Sequence, residues 1–118
     1  MPRSVLIVDD HPSFRAAARM LLEAEGYAVV GEARDGASAL RQAAALAPDL
    51  VLLDVNLPDL DGFAVAERLT AGGDGPAVVL CSSRDAADFA SDSVARSGAR
   101  GFVAKADLSA AALRELAG

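Results

Sequence analysis

The sequence lacks the features on which several large classes of protein depend. Its 118 residues include one cysteine, Cys81, which excludes an internal disulfide and suits a reducing, cytoplasmic location. One histidine, His11, is too few for a His-based triad or a zinc cluster. No apolar run approaches the roughly 20 residues of a membrane span. The start of the chain is too short and too soon acidic for a signal peptide. We therefore expect a cytoplasmic protein without membrane contact.

Positive charge is scarce as well. The net charge is −6 and no basic patch is present, so direct nucleic-acid contact is not expected. Of the eleven basic residues, only Lys105 is a lysine. A guanidinium fork cannot replace a compact ammonium on a flexible stem. One interpretation is therefore a functional lysine, and the other is chance placement in a surface loop.

The length and the 53% hydrophobic content predict one compact domain over residues 1–118. Short apolar runs alternate with segments of helical periodicity. Strands are predicted at residues 4–8, 27–31, 50–54, 77–81 and 101–104. The first helix is predicted to begin within residues 11–13 and to end at residue 26. Further helices are predicted at residues 37–47, 63–71, 86–97 and 110–116, and either Asp107 or Ser109 can cap the last one. Near-continuous apolar strands alternating with helices predict an α/β fold, a doubly wound parallel sheet covered on both faces.

Polar side chains follow four of the five predicted strands. They are Asp9 and Asp10 after the first strand, Asp54 at the end of the third, Ser82 and Ser83 after the fourth, and Lys105 after the fifth. In doubly wound sheets, binding sites lie at this carboxyl edge, where the strand order reverses. The coincidence predicts that these side chains form one site.

Carboxylates brought together at such an edge need a counter-ion. Two negative charges about 4 Å apart repel by roughly 4 kcal/mol at an effective dielectric of 20. Mg²⁺ accepts carboxylates, a backbone carbonyl and a phosphoryl oxygen, and an aspartate can accept a phosphoryl group covalently. A lysine and a hydroxyl nearby can hold the other phosphoryl oxygens. The residues therefore predict Mg²⁺-assisted phosphoryl transfer to Asp54.

The same residues carry a resemblance to a known family. The matching segments are residues 8–10, the block 54–62, the serine after strand four, and residues 98–105. Over its whole length the chain resembles the receiver domain of two-component response regulators. The resemblance implies a flavodoxin-like sheet of five parallel strands in the order 2-1-3-4-5, with five flanking helices.

The resemblance also implies roles for individual residues. Asp54 would be phosphorylated by a histidine kinase or a histidine phosphotransfer protein, and Lys105 would pair with the phosphoryl group. The Mg²⁺ ligands would be Asp10, Asp54, Asp9 mainly through water, and the main-chain carbonyl of Asn56. Phosphorylation would change the surface of helix four, strand five and helix five. Apart from catalysing its own phosphorylation and dephosphorylation, the chain would not be an enzyme.

The switch residues implied by the resemblance are less uniquely placed. The family's hydroxyl could be Ser82 or Ser83, and a hydroxyl directly after an apolar strand favours Ser82. Phe102 matches the aromatic switch position, although an aromatic in a strand can also be plain core. Ala106 follows Lys105 where many receivers have proline, which leaves the shape of that loop open.

Residues 10–15 look like the subfamily that usually carries a C-terminal helix-turn-helix domain. We expect no such output domain within residues 1–118. Possible partners of these residues are an output domain, another protein or a second copy of the chain.

Other interpretations remain for the acidic residues. Asp9 and Asp10 alone could cap a helix, and Asp59 and Asp61 are better explained as loop and cap residues than as metal ligands. One alternative function is a docking module that needs no phosphorylation. Another is a Mg²⁺-dependent aspartyl-phosphate phosphatase, which would place its nucleophile on the first strand, whereas the candidate here lies on the third.

Overall fold

The computed structural model describes residues 3–83 and 91–117. Five parallel strands form one sheet in the order β2-β1-β3-β4-β5. The strands are β1 Ser4–Val8, β2 Ala28–Ala33, β3 Leu50–Asp54, β4 Ala77–Ser82 and β5 Gly101–Ala104. The predicted doubly wound α/β fold and its strand order are confirmed.

Helices connect the strands and cover the sheet. They are α1 Pro12–Ala24, α2 Gly36–Leu46, α3 Gly62–Thr70, α4 Ser91–Arg96 and α5 Ala110–Ala117. The first part of the predicted fourth helix, residues 86–90, lies outside the described residues. A 3-10 turn, Lys105–Asp107, fills the loop after β5. Within the described ranges, no helix is both long and apolar enough to cross a bilayer.

The core has one layer on each face of the sheet. Alternate residues of β1 divide between the layers, with Val5 and Ile7 on one side and Leu6 and Val8 on the other. The first layer includes buried residues of α1 and α5, and the second includes buried residues of α2 and α3. Burial on both faces holds the strand ends in fixed relative positions, which is the requirement for a site built across several strands.

Strand β2 differs from its predicted range because of an irregularity in its pairing with β1. Val5 pairs with Val29, but the next residue of β1 pairs with Gly31, so Val30 is passed over. Val30 is 40% exposed as a result. Pairing then continues to Ala33, two residues beyond the predicted end. A bulge of this kind leaves no clear signal in the periodicity of a six-residue strand.

The helix caps answer two questions left open by the sequence. Ser109, not Asp107, caps α5, since its hydroxyl accepts a hydrogen bond from the Ala112 N–H at 3.0 Å. Asp61 caps α3 by accepting from the Phe63 N–H at 2.8 Å, as expected for a cap residue.

Asp59 has a role that its position in the sequence does not indicate. From the loop between β3 and α3, its carboxylate accepts hydrogen bonds from the N–H groups of Gly36 (2.7 Å) and Ala37 (3.0 Å) at the start of α2. These bonds, that of Gly36 above all, hold the pKa of Asp59 below its usual value. The loop after Asp54 is therefore tied to the neighbouring helix.

Gly62 brings α3 directly against the end of β3. A Cβ at this position would lie 2.6 Å from Val55 Cα and would also overlap the Asp54 carbonyl oxygen. The atoms in the way belong to the backbone of buried Asp54 and Val55, so they cannot move aside as a flexible side chain would. The close approach of α3 to the end of β3 therefore requires glycine.

We predict that Gly62→Ala destabilises the fold by about 1–3 kcal/mol, although alanine is the better helix former. The measurement is chemical denaturation followed by circular dichroism. Gly72→Ala is the matched control, because nothing lies within 4 Å of a Cβ there, and its effect is expected within about 0.5 kcal/mol. Equal stability of the two variants would contradict this account of the packing.

Candidate functional site

Two buried carboxylates lie at the carboxyl edge of the sheet. Asp9 follows β1 and is fully buried, and Asp54 ends β3 and is 3% exposed. The two strands are hydrogen-bonded neighbours, with Val8 paired to Leu53. Asp10 also lies at this edge, with its side chain 36% exposed. The sheet order thus brings Asp54 close to Asp9 and Asp10, which precede it by 45 and 44 residues in the chain.

Lys105 directly follows the carboxyl end of β5, and its side chain reaches these acids. Its Nζ lies 2.6 Å from Asp9 Oδ2 and 3.6 Å from Asp54 Oδ2, and its side chain is only 16% exposed. The shorter contact is an ion pair of hydrogen-bonding length with a buried carboxylate oxygen. The single lysine of the chain therefore lies between two buried carboxylates and not in an exposed surface loop.

The burial and the charges change the pKa values of both partners. Burial raises the pKa of Asp54, and the neighbouring Asp9 raises it further. The Asn56 N–H, which donates to Asp54 Oδ1 at 3.2 Å, and the Lys105 ammonium oppose this effect without cancelling it. Burial by itself would lower the pKa of Lys105, but its contacts with Asp9 and Asp54 outweigh burial and raise that pKa.

Two further residues organise the turn after β1. His11 Nδ1 lies 2.9 Å from Asp9 Oδ1 and 3.1 Å from Asp10 Oδ1. Arg15 donates from Nη1 to the Asp9 carbonyl oxygen at 2.6 Å and from Nε to Glu32 at 3.1 Å. His11 directly follows the two acids in the sequence, whereas nothing in the sequence distinguishes Arg15 from the other arginines of the chain. Together they fix the carboxylate and the backbone of Asp9.

The alternative in which the first two acids merely cap α1 does not match the geometry. The N-cap residue of α1 is His11, and its side chain makes no cap hydrogen bond. Asp9 accepts from the His11 N–H at 2.8 Å, ahead of the helix. The acidic pair thus faces the site.

The remaining candidates lie around this edge. Ser82 ends β4 and is fully buried, whereas Ser83 is exposed. Phe102, in β5, is half-buried and packs against the core layer on the α2 and α3 side. Asn56 follows Asp54 by two residues and has an exposed side chain. Ser82 and Asn56 lie at the carboxyl edge, whereas Phe102 pairs with Leu80 two residues before the end of β4. The roles of all three stay predictions.

The chemistry of the donor set fits a hard divalent cation. Ligand atoms from Asp9, Asp10, His11 and Asp54 all lie within 4.8 Å of one another. Three of the four residues are carboxylates, which Mg²⁺ prefers to nitrogen donors. Lys105 supplies only one positive charge to this group of acids, so a divalent cation would offset the remaining negative charge. The residues present therefore fit Mg²⁺.

Buried Cys81 takes no part in this chemistry. It pairs with Asp54 across β3 and β4 and belongs to the core layer facing α1 and α5. Burial raises the pKa of its thiol, so the reactive thiolate is disfavoured.

Comparisons with known proteins agree with this geometry. Residues 5–116 match the family model of the response regulator receiver domain. The chain is 42% identical over 105 residues to a protein of Bordetella pertussis described as the virulence-factor transcription regulator BvgA, covering 89% of this chain and 50% of the relative. It is 40% identical over 94 residues to the transcriptional regulatory protein PdtaR of Mycobacterium tuberculosis, covering 78% and 46%. The chain thus spans about half the length of the curated relatives it matches.

A solved structure extends the similarity to the whole fold. The signal receiver domain of the NarL response regulator from Mycobacterium tuberculosis superposes with a TM-score of 0.81 at 34% sequence identity. The match covers 99% of this chain and 98% of that one.

We predict that Asp54→Asn stabilises the metal-free protein at neutral pH. The folded state raises the pKa of Asp54 above its unfolded value of about 3.9. Between the two values the folded state binds more protons, so the wild type loses stability as pH rises through that window. Above it, the whole cost of the buried charge is present. Asparagine carries no such charge.

The measurement is thermal unfolding of both proteins from pH 4 to pH 8 in a chelator. The difference in melting temperature should grow from about pH 4 upward and then level off. A wild type that stays the more stable protein at neutral pH would contradict the pKa direction.

Proposed function

The chain belongs to the response regulator receiver family of two-component signalling modules, and on this premise we propose that Asp54 is its phosphoryl acceptor. The observation that carries the proposal is the placement of the Lys105 ammonium between two buried carboxylates. Such a cation is positioned to interact with a phosphoryl group on Asp54. A structural ion pair would need one carboxylate, whereas this site holds a second buried acid and the exposed Asp10.

The proposed step transfers a phosphoryl group to a carboxylate oxygen. A lone pair on Asp54 forms the new P–O bond as the P–N bond of a phosphohistidine breaks. The leaving imidazole keeps the electron pair of that bond and takes up a proton. Lys105 stabilises the negative charge on the phosphoryl oxygens, because its ammonium is already held at this edge by Asp9.

Aspartate phosphorylation and Mg²⁺ are general features of the family. In this chain Asp9, Asp10, Asp54 and the main-chain carbonyl of Asn56 would hold the ion, with Asp9 acting mainly through water. When bound, Mg²⁺ would supply positive charge that offsets the repulsion between the acids and the phosphoryl oxygens. Without such a charge, burial and the neighbouring acids leave the pKa of Asp54 raised.

We further propose that Ser82 and Phe102 report the phosphorylated state to the surface. Ser82 supports this role better than Ser83, because Ser82 is buried beside β5, where it pairs with Ala104. Phosphorylation adds about two negative charges at Asp54. A hydroxyl drawn toward them would leave room for half-buried Phe102 to turn inward, which would change the surface of α4, β5 and α5.

The wider function follows from the family and stays a proposal. A histidine kinase or a phosphotransfer protein would be the phosphoryl donor, and the relatives named as transcription regulators favour an output through gene expression. We propose that residues 1–118 form one receiver domain that acts in the cytoplasm, in keeping with its single, buried cysteine. Apart from its own phosphorylation and dephosphorylation, it would catalyse no reaction.

We predict that acetyl phosphate with Mg²⁺ adds one phosphoryl group to the wild type and none to Asp54→Asn, measured by intact mass. A chelator should prevent the addition, because the carboxylate cluster then lacks its counter-ion. Asp61→Asn is the matched control. It removes an exposed acid of the same loop, and asparagine can still cap α3.

Three outcomes would overturn the proposal. Equal modification of the Asp54→Asn variant would place the acceptor elsewhere. A wild type that binds its partner without ever being modified would be a docking module. Continuous release of phosphate from an unrelated phosphomonoester would indicate a phosphatase.

For the switch, we predict that a phosphoryl mimic such as beryllium trifluoride changes the side-chain rotamer of Phe102, measured by NMR. Ser82→Ala should weaken this change, because the hydroxyl that moves is gone, and exposed Ser83→Ala should leave it intact. The same Phe102 rotamer with and without the mimic would contradict this route.

A further inference from the structure

The ammonium of Lys105 has a third neighbour that is not an acid. Its Nζ lies 4.4 Å from the centre of the Phe14 ring, over the ring face. Phe14 is in the first turn of α1, and Lys105 begins the 3-10 turn after β5. The negative face of an aromatic ring attracts a cation within about 6 Å. This contact joins two segments that are 91 residues apart in the sequence.

The ring is held firmly enough to act as a fixed surface. Phe14 is half-buried and packs against the core layer formed with α1 and α5. The start of α1 is fixed relative to the site, because the Arg15 side chain donates to the Asp9 carbonyl oxygen and the Arg15 N–H donates to the His11 carbonyl oxygen. The ring therefore moves with the β1 edge that carries Asp9.

Lysine needs such support more than most residues do. Its stem is flexible and its ammonium is strongly hydrated, so a position between two acids is one of many that it could adopt. Asp9 at 2.6 Å would by itself draw the ammonium away from Asp54, which lies at 3.6 Å. A third contact on the ring restricts the remaining freedom of the head group.

We propose that Phe14 is a positioning residue that holds the Lys105 ammonium at Asp9 and Asp54, ready to meet the phosphoryl group. The part that concerns phosphorylation rests on the proposed function of Asp54. Leucine at position 14 would fill much of the same apolar space but would offer no ring face. Phe14→Leu therefore tests the loss of the ring face while most of the packing is kept.

The first experiment observes the contact directly by NMR. Because Lys105 is the only lysine in the chain, selective lysine labelling gives one set of side-chain signals. Protons of the Lys105 stem near the ring face should be shifted upfield in the wild type. Phe14→Leu should abolish this shift, and Phe14→Trp should keep or enlarge it, since tryptophan has the strongest quadrupole.

The second experiment measures the rate of phosphorylation by acetyl phosphate with Mg²⁺. Phe14→Leu should reduce the rate roughly threefold to thirtyfold, and Phe14→Trp should restore it. In the Lys105→Ala background, Phe14→Leu should have no further effect, because the ring acts through the lysine. Phe63→Leu, at a half-buried phenylalanine that packs against the opposite core layer, tests for a general effect of losing an aromatic ring.

The outcomes distinguish this proposal from the proposed function. An unshifted Lys105 in the wild type, or an unchanged phosphorylation rate in Phe14→Leu, would overturn the positioning role. So would a rate loss of equal size in the Lys105→Ala background, which would show a merely structural effect. A wild type that shows the NMR shift but never gains a phosphoryl group would instead overturn the proposed function, and with it the role of Phe14 in phosphorylation.

Discussion

The contact between one lysine and two buried aspartates is the constraint on which the rest of this structure depends. Asp9 and Asp54 lie at the carboxyl ends of two adjacent strands, almost out of contact with water, and Lys105 supplies one positive charge to the two of them. Burial raises the pKa of Asp54 most, and the excess of negative charge in the cluster raises it further. A site in this state favours any ligand that brings further positive charge.

A charge cluster of this kind is useful only if the surrounding structure cannot relax around it. Strands buried on both faces fix the separation of the acids, and Gly62 allows α3 to close against the end of β3. Asp59 links the loop after Asp54 to α2 through two backbone hydrogen bonds. A phosphoryl group on Asp54 would therefore act on elements that are already in contact with the site.

Much of this arrangement could be predicted because it depends on sheet geometry. A buried parallel strand is a short apolar run, and the polar residue that ends it must lie at the carboxyl edge. The pattern of apolar runs was therefore enough to locate Asp9, Asp54 and Lys105 at one edge of the sheet. The bulge opposite Val5 and Leu6 could not be found in this way, because pairing irregularities depend on the neighbouring strand.

Contacts between loops and the first turns of helices also could not be predicted from the sequence. Asp59 resembles any acid in a turn, and nothing local shows that its carboxylate accepts hydrogen bonds from the first turn of α2. Phe14 and Arg15 have the spacing of an ordinary amphipathic helix, so their contacts with Lys105 and with the Asp9 carbonyl become visible only once α1 is docked on the sheet. These contacts depend on the rotation of α1 about its axis, which hydrophobic periodicity determines only to within a residue or so. The strands locate the charges of the site, and the first turns of the helices determine how precisely those charges are held.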